Sequence, residues 1–463
     1  MRNATRVLAA SEGVLGQTPK LDKDLRAVNR GRFEPVWFRR RALGPLRLRL
    51  KSVSSSMPEQ TPASRKILLV DADAFFVAVA RMVDPDGAGR APLLLVGGTA
   101  EGRGIVCSAS YEARQFGVRS AMPMARALRL CPDAMCVPVP GAACRAKHKE
   151  IRAVLEQHSP IVQSASIDEW YLDLAGTERL YVDTGLEALA HRIRDAVFDQ
   201  AAIRVSIGGG TSKLIAKLAV ERAKPKPGNS ANGVNIVSSG GELDFMRTLQ
   251  LADIPGIGPK TTSRLAERGL RSVPDVMALD KAALARLIGP SDGAWLANRV
   301  LGLDTAQVAE RDEAKSISRD ETFPTDINDD LLLEGELTDV IGRAAADLRQ
   351  AHLSARTITV RLRDRDFTTR QASRTVDESL ESDRAIFLVA RELLQKLRKA
   401  RRVPARLISV SLSNFGAPPL KQLALFDQQQ GRLETEKDKD VSRAMDAVRA
   451  KFGRGSIAPG RKH

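Results

Sequence analysis

The sequence predicts an α+β chain of several domains, and three observations carry that prediction. At 463 residues the chain is too long for one core; at roughly 100 to 200 residues per domain it should hold three or four compact units. From residue 65 to about 235, β-prone runs alternate with helical ones, the pattern of a mixed sheet covered by helices. Beyond residue 315 the order becomes β-α-β-β-α-β, that of a small open-faced sandwich with helices on one side. No internal repeat of fixed period is present.

Charge narrows the partners. Lys and Arg number 72 against 56 Asp and Glu, a formal net charge of +16, with a sequence pI near 10.0. Such a surplus favours a polyanion, nucleic acid first and an acidic membrane surface second. No apolar stretch approaches the roughly 18 residues that a membrane helix needs, and no secretory signal core is present at the N-terminus, so a membrane role is not expected. The four cysteines, Cys107, Cys131, Cys136 and Cys144, lack Cys-x-x-Cys spacing and zinc-type histidine partners. They read as reduced thiols of a cytoplasmic protein.

The elements follow in order. Residues 1–63 are Arg-rich, poor in acids and without sustained period; Ser54-Ser55-Ser56 precedes Met57, an alternative start. Residues 1–56 therefore read as disordered, as upstream sequence, or as an Arg-rich leader of the organellar kind. The run Ile67-Leu68-Leu69-Val70 is a buried strand that ends in Asp71-Ala72-Asp73-Ala74-Phe75-Phe76, with acids at i and i+2 on one face. In Ser166-Ile167-Asp168-Glu169-Trp170-Tyr171-Leu172-Asp173 two adjacent acids lie in a β-prone run. They would point to opposite faces unless they sit at a hairpin tip or strand end. A helix is predicted over Leu186 to Asp199, a strand over Ile203 to Ile207, and a helix over Ser212 to Ala223. Gly208-Gly209-Gly210 between the last two lacks phosphate-loop spacing and reads as a tight strand-to-helix turn.

Residues 240–302 are short helices joined by Gly and Pro, including Ile254-Pro255-Gly256-Ile257-Gly258-Pro259-Lys260. Glycines before a helix let backbone N–H groups face a phosphate, so Gly256, Gly258 and Lys260 are candidates to grip a nucleic-acid backbone. The polar run 303–314 reads as a tether. Strands follow at about 315–323, 356–363, 370–376 and 406–413, and helices at about 329–350 and 383–400. In two of these strands Ile358, Val360 and Leu362 alternate with Thr357, Thr359, Arg361 and Arg363, and Ile408, Val410 and Leu412 with Ser409, Ser411 and Ser413. Each has one apolar face for helices and one hydroxyl- or guanidinium-rich face, free of acids, suited to phosphates or merely solvated. After Pro418-Pro419 comes Gln422-Leu423-Ala424-Leu425-Phe426, a short apolar peptide on a polar tail, hard to explain as core except as a last strand folding back.

The acids set the chemistry. Taken alone, each acidic motif could be a solvated turn; together, beside basic helices, a carboxylate trio could hold two Mg²⁺ about 4 Å apart. Such a pair serves nucleotidyl transfer. Lys217 and Lys224, seven apart, share a face of a continuing helix, which could also be an ordinary solvated face.

These segments, with Ser110-Tyr111-Glu112-Ala113-Arg114-Gln115-Phe116-Gly117-Val118 and Ala223-Lys224-Pro225, make the chain resemble the Y-family translesion DNA polymerases, and among them the bacterial DNA polymerase IV group. The resemblance runs from about 65 to 430 in the family's order. It implies a right-hand polymerase: palm at 64–74 and 143–235, fingers at 75–142, a helix-hairpin-helix thumb at 236–302, a linker at 303–314, a little finger at 315–417 and a tail at 418–463. It further implies that Asp71, Asp168, Glu169 and the main-chain oxygen of Ala72 bind two Mg²⁺ beside the primer 3′-hydroxyl. Tyr111, Arg114 and Lys224 would hold the triphosphate, Phe75 and Phe76 would line the nucleotide site, and Phe76 would be the steric gate against ribose; one ring of that pair should pack inward. Primer-template DNA and deoxynucleoside triphosphates are the implied partners. Gln422, Leu423, Leu425 and Phe426 resemble a sliding-clamp peptide, and the resemblance implies a monomer without proofreading nuclease.

Two departures stand out. Trp170 occupies a position where the family usually carries a small residue, and the segment 226–232 is longer than the family's turn. Two competing readings, an inactive relative serving as a clamp- and DNA-binding scaffold and a nucleotide cyclase on a similar palm, are opposed by the intact acids and by the duplex-gripping modules respectively.

Overall fold

The computed structural model describes residues 65–177, 185–225, 231–310, 314–416, 432–453 and 455–457. The N-terminal extension 1–63, the segment 226–230 and the peptide 422–426 lie outside them.

The palm is a five-stranded sheet in the order β5-β6-β1-β7-β8, interrupted in the chain by the fingers. Its first strand, β1 (Ile67–Ala72), is buried along its whole length, as its apolar run predicts. The chain then turns through Ala74, in the left-handed region at φ 45°, into α1 (Phe75–Val83). The fingers follow as β2 (Leu94–Gly97), β3 (Val106–Ala109), α2 (Tyr111–Gln115), α3 (Met124–Leu130) and β4 (Met135–Val137), a small sheet ordered β3-β2-β4 over its own core. The chain re-enters the palm through α4 (Gly141–Leu155), β5 (Ile161–Ser164), β6 (Glu169–Asp173), α5 (Gly185–Ala201), β7 (Val205–Gly210), α6 (Lys213–Ala223) and β8 (Val234–Ile236).

Central position in the sheet leaves β1 covered on both sides. Leu68, Val70 and Ala72 pack with residues of α4 and α5, whereas Ile67 and Leu69 pack with Ala216 and Val220 of α6. The two-residue period of a strand therefore sends Asp71 to the α6 face. Gly208, Gly209 and Gly210 are the end of β7 rather than a turn, paired with Leu69, Leu68 and Ile67. A Cβ on Gly208 would lie 2.1 Å from Val220 N and 2.3 Å from Ala216 O, so its bare backbone is what lets α6 lie directly on the sheet.

Beyond the palm run α7 (Glu242–Arg247), a short 3₁₀ turn, α8 (Pro259–Ala266), α9 (Val273–Met277), α10 (Lys281–Ile288) and α11 (Pro290–Val300), around a core that includes Leu251, Ile254, Leu265 and Leu296. The following polar stretch is not a free tether over its described part. Val308 is buried against Ile67, Leu69, Ala216 and Val220, and Glu310 lies 3.6 Å from Arg152. One apolar residue in a polar run suffices to dock it.

The C-terminal sheet, in the order β11-β10-β12-β9, is antiparallel throughout. It comprises β9 (Ser316–Ile327), β10 (Ser354–Asp364), β11 (Thr369–Leu380) and β12 (Ala405–Gly416), with α12 (Asp330–Gln350) and α13 (Asp383–Ala400) packed on one face. Each strand runs longer than its apolar core alone predicts, and the helices match their expected spans closely. The charged tail also differs from expectation. Residues 432–453 fold onto this domain through α14 (Glu436–Phe452): Arg349 bridges Asp383 at 2.9 Å and Asp446 at 2.7 Å, and buried Glu434 accepts the N–H groups of Glu381 and Ser382 ahead of α13. Ala447 to Phe452 are its last turns. Among the described residues no helix is long and apolar enough to cross a membrane.

Candidate active site

The strand register brings the acids together. Asp71 of β1 is the cross-strand partner of Glu169, the first residue of β6, and the Ala72 N–H donates to the Asp168 carbonyl at 2.9 Å. Asp168 thus lies just outside the strand end, where adjacent residues need not diverge onto opposite faces. The side chains are less gathered than the backbone. Glu169 is ion-paired with Lys217, whose Nζ lies 3.9 Å from Asp71, while the Asp168 carboxylate accepts from the Ser166 hydroxyl. Among the described residues no group of three His, Cys, Asp or Glu side chains is placed so as to hold a metal ion. Three carboxylates in contact would repel one another, whereas this arrangement neutralises two with lysine and hydrogen-bonds the third.

Asp71 is 6 % exposed. Burial pushes its carboxyl up to about 7, against the pull of Lys224, whose ammonium lies 3.0 Å away, and Glu169 adds to the rise. Burial works against the charge of Lys224 as well, but Asp71 and Glu221 more than offset it and hold the lysine above its ordinary range. Asp73 is also raised by burial, while it accepts a 2.8 Å bond from Ser206. Lys217 and Lys224 therefore do reach one site, as their spacing suggested: Lys217 from the body of α6 and Lys224 from its C-cap.

The fingers face this cluster. Ser110 caps α2 and presents Tyr111, whose hydroxyl is pushed up to about 12, chiefly by burial and next by the charge of Asp73. The Arg114 guanidinium lies 5.0 Å from the Tyr111 ring centroid and donates to the Ala109 carbonyl at 3.0 Å. Of the phenylalanine pair, Phe75 is the inward ring at 2 % exposure and Phe76 is half-buried, with centroids 5.8 Å apart.

Two further surfaces carry the backbone-binding candidates. Gly256 has φ +98°, and a Cβ there would meet Trp295 at 2.7 Å; Gly258 caps α8 with open space around it, and Lys260 is exposed. On the uncovered face of the C-terminal sheet, Thr357 bonds Thr375 at 2.9 Å, Thr359 bonds Ser373 at 2.8 Å, and Arg361 and Arg363 stand beside them. The face is not wholly without acids: Asp320 joins it from β9, opposite Ser409. Ser206 and His148 were not singled out from sequence. Ser206 carried a faint signal in its place on the strand next to β1; His148 carried none.

Comparison with known proteins agrees with this geometry. Models of the impB/mucB/samB family match residues 70–221 and, for its C-terminal domain, 314–425; a SAM-like helix-hairpin-helix tandem matches 248–292. The DNA polymerase IV of Dehalococcoides mccartyi is 34 % identical over 399 residues, 86 % of this chain and 98 % of that protein. That of Caulobacter vibrioides is 34 % identical over 85 % of this chain and 93 % of its own. Among solved structures, a chimeric Y-family DNA polymerase matches with a TM-score of 0.67 at 26 % identity, over 75 % of this chain and 98 % of that one. The insertion ternary complex of Dbh DNA polymerase matches over the same shares at 0.53 and 26 %. The chain is a DNA-directed DNA polymerase of the Y family. Within that family it belongs to the bacterial DNA polymerase IV group.

Proposed function

We propose that this polymerase performs translesion synthesis, adding deoxynucleotides to a primer 3′ end by a two-cation transfer with Mg²⁺. The observation that carries the reading is the strand-end pairing of Asp71 with Glu169, with Asp168 one residue away and two lysines against them. The donor set suits a hard cation: a main-chain oxygen at Ala72 and carboxylates, one of which, Asp71, is pushed up to about 7 chiefly by burial, so that a bound cation would favour its charged form. To share cations, Asp168 would turn away from Ser166 and Glu169 would leave Lys217. When bound, the cations would lower the pKa of the primer hydroxyl and neutralise the leaving pyrophosphate.

The chain's own residues do the rest. Arg114 offers a planar fork to phosphate oxygens, Lys224 a point charge, and Tyr111 a hydroxyl that burial keeps protonated as a donor. Half-buried Phe76 would be the ring with which a ribose 2′-hydroxyl collides. Gly256, Gly258 and Lys260, with Arg361 and Arg363, grip the DNA backbone without reading sequence, which suits an enzyme that must accept altered templates. The reading includes a cytoplasmic monomer, no proofreading nuclease, and a clamp contact through Gln422, Leu423, Leu425 and Phe426.

Primer extension with Mg²⁺, comparing the parent with Asp168→Ala plus Glu169→Ala, tests the core of the reading. Extension should vanish in the variant while DNA binding persists; equal extension would overturn it. Deleting 422–426 should abolish stimulation by the clamp and spare basal synthesis, and equal stimulation would remove the clamp assignment.

A further inference from the structure

The palm face behind the acids carries a stacked pair that the proposed reaction does not use. Trp170 follows Glu169 in β6, so it points to the opposite face of the sheet, where it is fully buried. Its ring lies against the imidazole of His148 on α4, with centroids 5.0 Å apart and planes 26° apart. His148 Nδ1 is 2.9 Å from the Ile167 carbonyl oxygen, and Nε2 is 3.3 Å from the Ser164 hydroxyl. A carbonyl can only accept, so Nδ1 bears the hydrogen; in the neutral ring Nε2 then accepts from Ser164. One imidazole thereby joins both limbs of the turn between β5 and β6: Ser164 ends β5, and Ile167 immediately precedes Asp168. The turn's own backbone bonds, from Ala165 and Ser166 N–H to the Glu169 carbonyl at 2.9 and 3.3 Å, hold its base rather than Ile167.

Among the described residues the buried Trp170 indole N–H has no hydrogen-bond partner, which is unfavourable. Hydrogen bonding therefore does not account for a tryptophan at this position, but its flat face does. We propose that His148 is a positioning residue: braced by Trp170 and bonded to the Ile167 carbonyl, it sets the direction of the Asp168 and Glu169 carboxylates and so the cation affinity of the site. The proposal rests on the two-cation reading. Groups behind a ligand set commonly govern its affinity by fixing orientation in this way.

Two substitutions separate the bond from the brace. His148→Phe keeps a ring against Trp170 and loses both hydrogen bonds; His148→Asn keeps an amide donor for the Ile167 carbonyl and loses the stack. Mn²⁺ affinity is measured by electron paramagnetic resonance on the full chain bound to primer-template DNA with a 3′-deoxy primer end and a deoxynucleoside triphosphate. Thermal melting is measured on the same proteins. His148→Phe should melt near the parent yet bind Mn²⁺ about tenfold more weakly. His148→Asn should melt lower yet keep Mn²⁺ affinity within about threefold of the parent. If affinity merely follows melting temperature in both variants, or His148→Phe binds as the parent does, the positioning role is overturned while the two-cation site stands. A parent complex that binds no Mn²⁺ overturns the two-cation reading and this one with it.

Discussion

The palm and little-finger sheets are both covered by helices but leave different chemistry uncovered. In the palm, helices lie on both faces, and Asp71, Asp73, Glu169, Lys217 and Lys224 gather at one strand end. In the little finger, α12 and α13 cover one face and leave the other, mostly Thr, Ser and Arg with Asp320 among them, uncovered by helices. Burial makes the first set interdependent: Asp71 is pushed up to about 7 while its lysine partner is driven towards tighter proton binding. The second set consists largely of neutral hydroxyls bonded across strands, each nearly independent of the next. Concentrated, desolvated charge suits catalysis, and dispersed donors suit holding a uniform polyanion.

Four experiments put that contrast at risk. Asp71→Ala should lower the rate of primer extension by at least about a thousandfold while DNA affinity, read by fluorescence anisotropy, stays near the parent's. A parallel loss of DNA binding would mean the two regions do not divide the work. Phe76→Ala should raise ribonucleotide incorporation relative to deoxynucleotide by roughly 10- to 100-fold; unchanged sugar discrimination in primer extension removes Phe76 as the gate.

Packing should divide the sheets in the same way. Gly208→Ala forces a methyl against the α6 backbone and should destabilise the chain by about 1–3 kcal/mol in chemical denaturation, whereas Thr359→Ala on the open sheet should stay within about 0.5 kcal/mol. Comparable losses would show that the open face is as tightly determined as the palm. The smallest effect is expected at Arg361→Ala and Arg363→Ala. Each should weaken duplex binding a few-fold, with the salt-dependence slope reduced by about one for each phosphate no longer neutralised, and leave the rate at saturating DNA unchanged.

Much of the fold was legible where pattern is local. The little-finger helices fall within a residue of their expected limits because their apolar spacing and their caps, Asp329 and Ser382, lie within the segments themselves. The run Ile67 to Val70 ending in Asp71 announced both a buried strand and its acidic end. The glycine triplet was misread for the opposite reason: three glycines look alike in a turn and under a helix, and only the approach of Ala216 and Val220 distinguishes them. The docked stretch around Val308 and the returning helix α14 were missed likewise, since their partners are remote in the chain.

Residue order alone was enough for the family, the strand that bears Asp71, the lysine spacing and the alternating little-finger strands, because residue type and period act over a few neighbouring positions. Folding in three dimensions was needed for Lys217 to meet Glu169, for Lys224 to meet Asp71, and for His148 and Trp170 to stand behind the acidic turn. Those relations depend on strand register and on which helix lies across which face, and they join residues whose separation along the chain carries no trace of their contact.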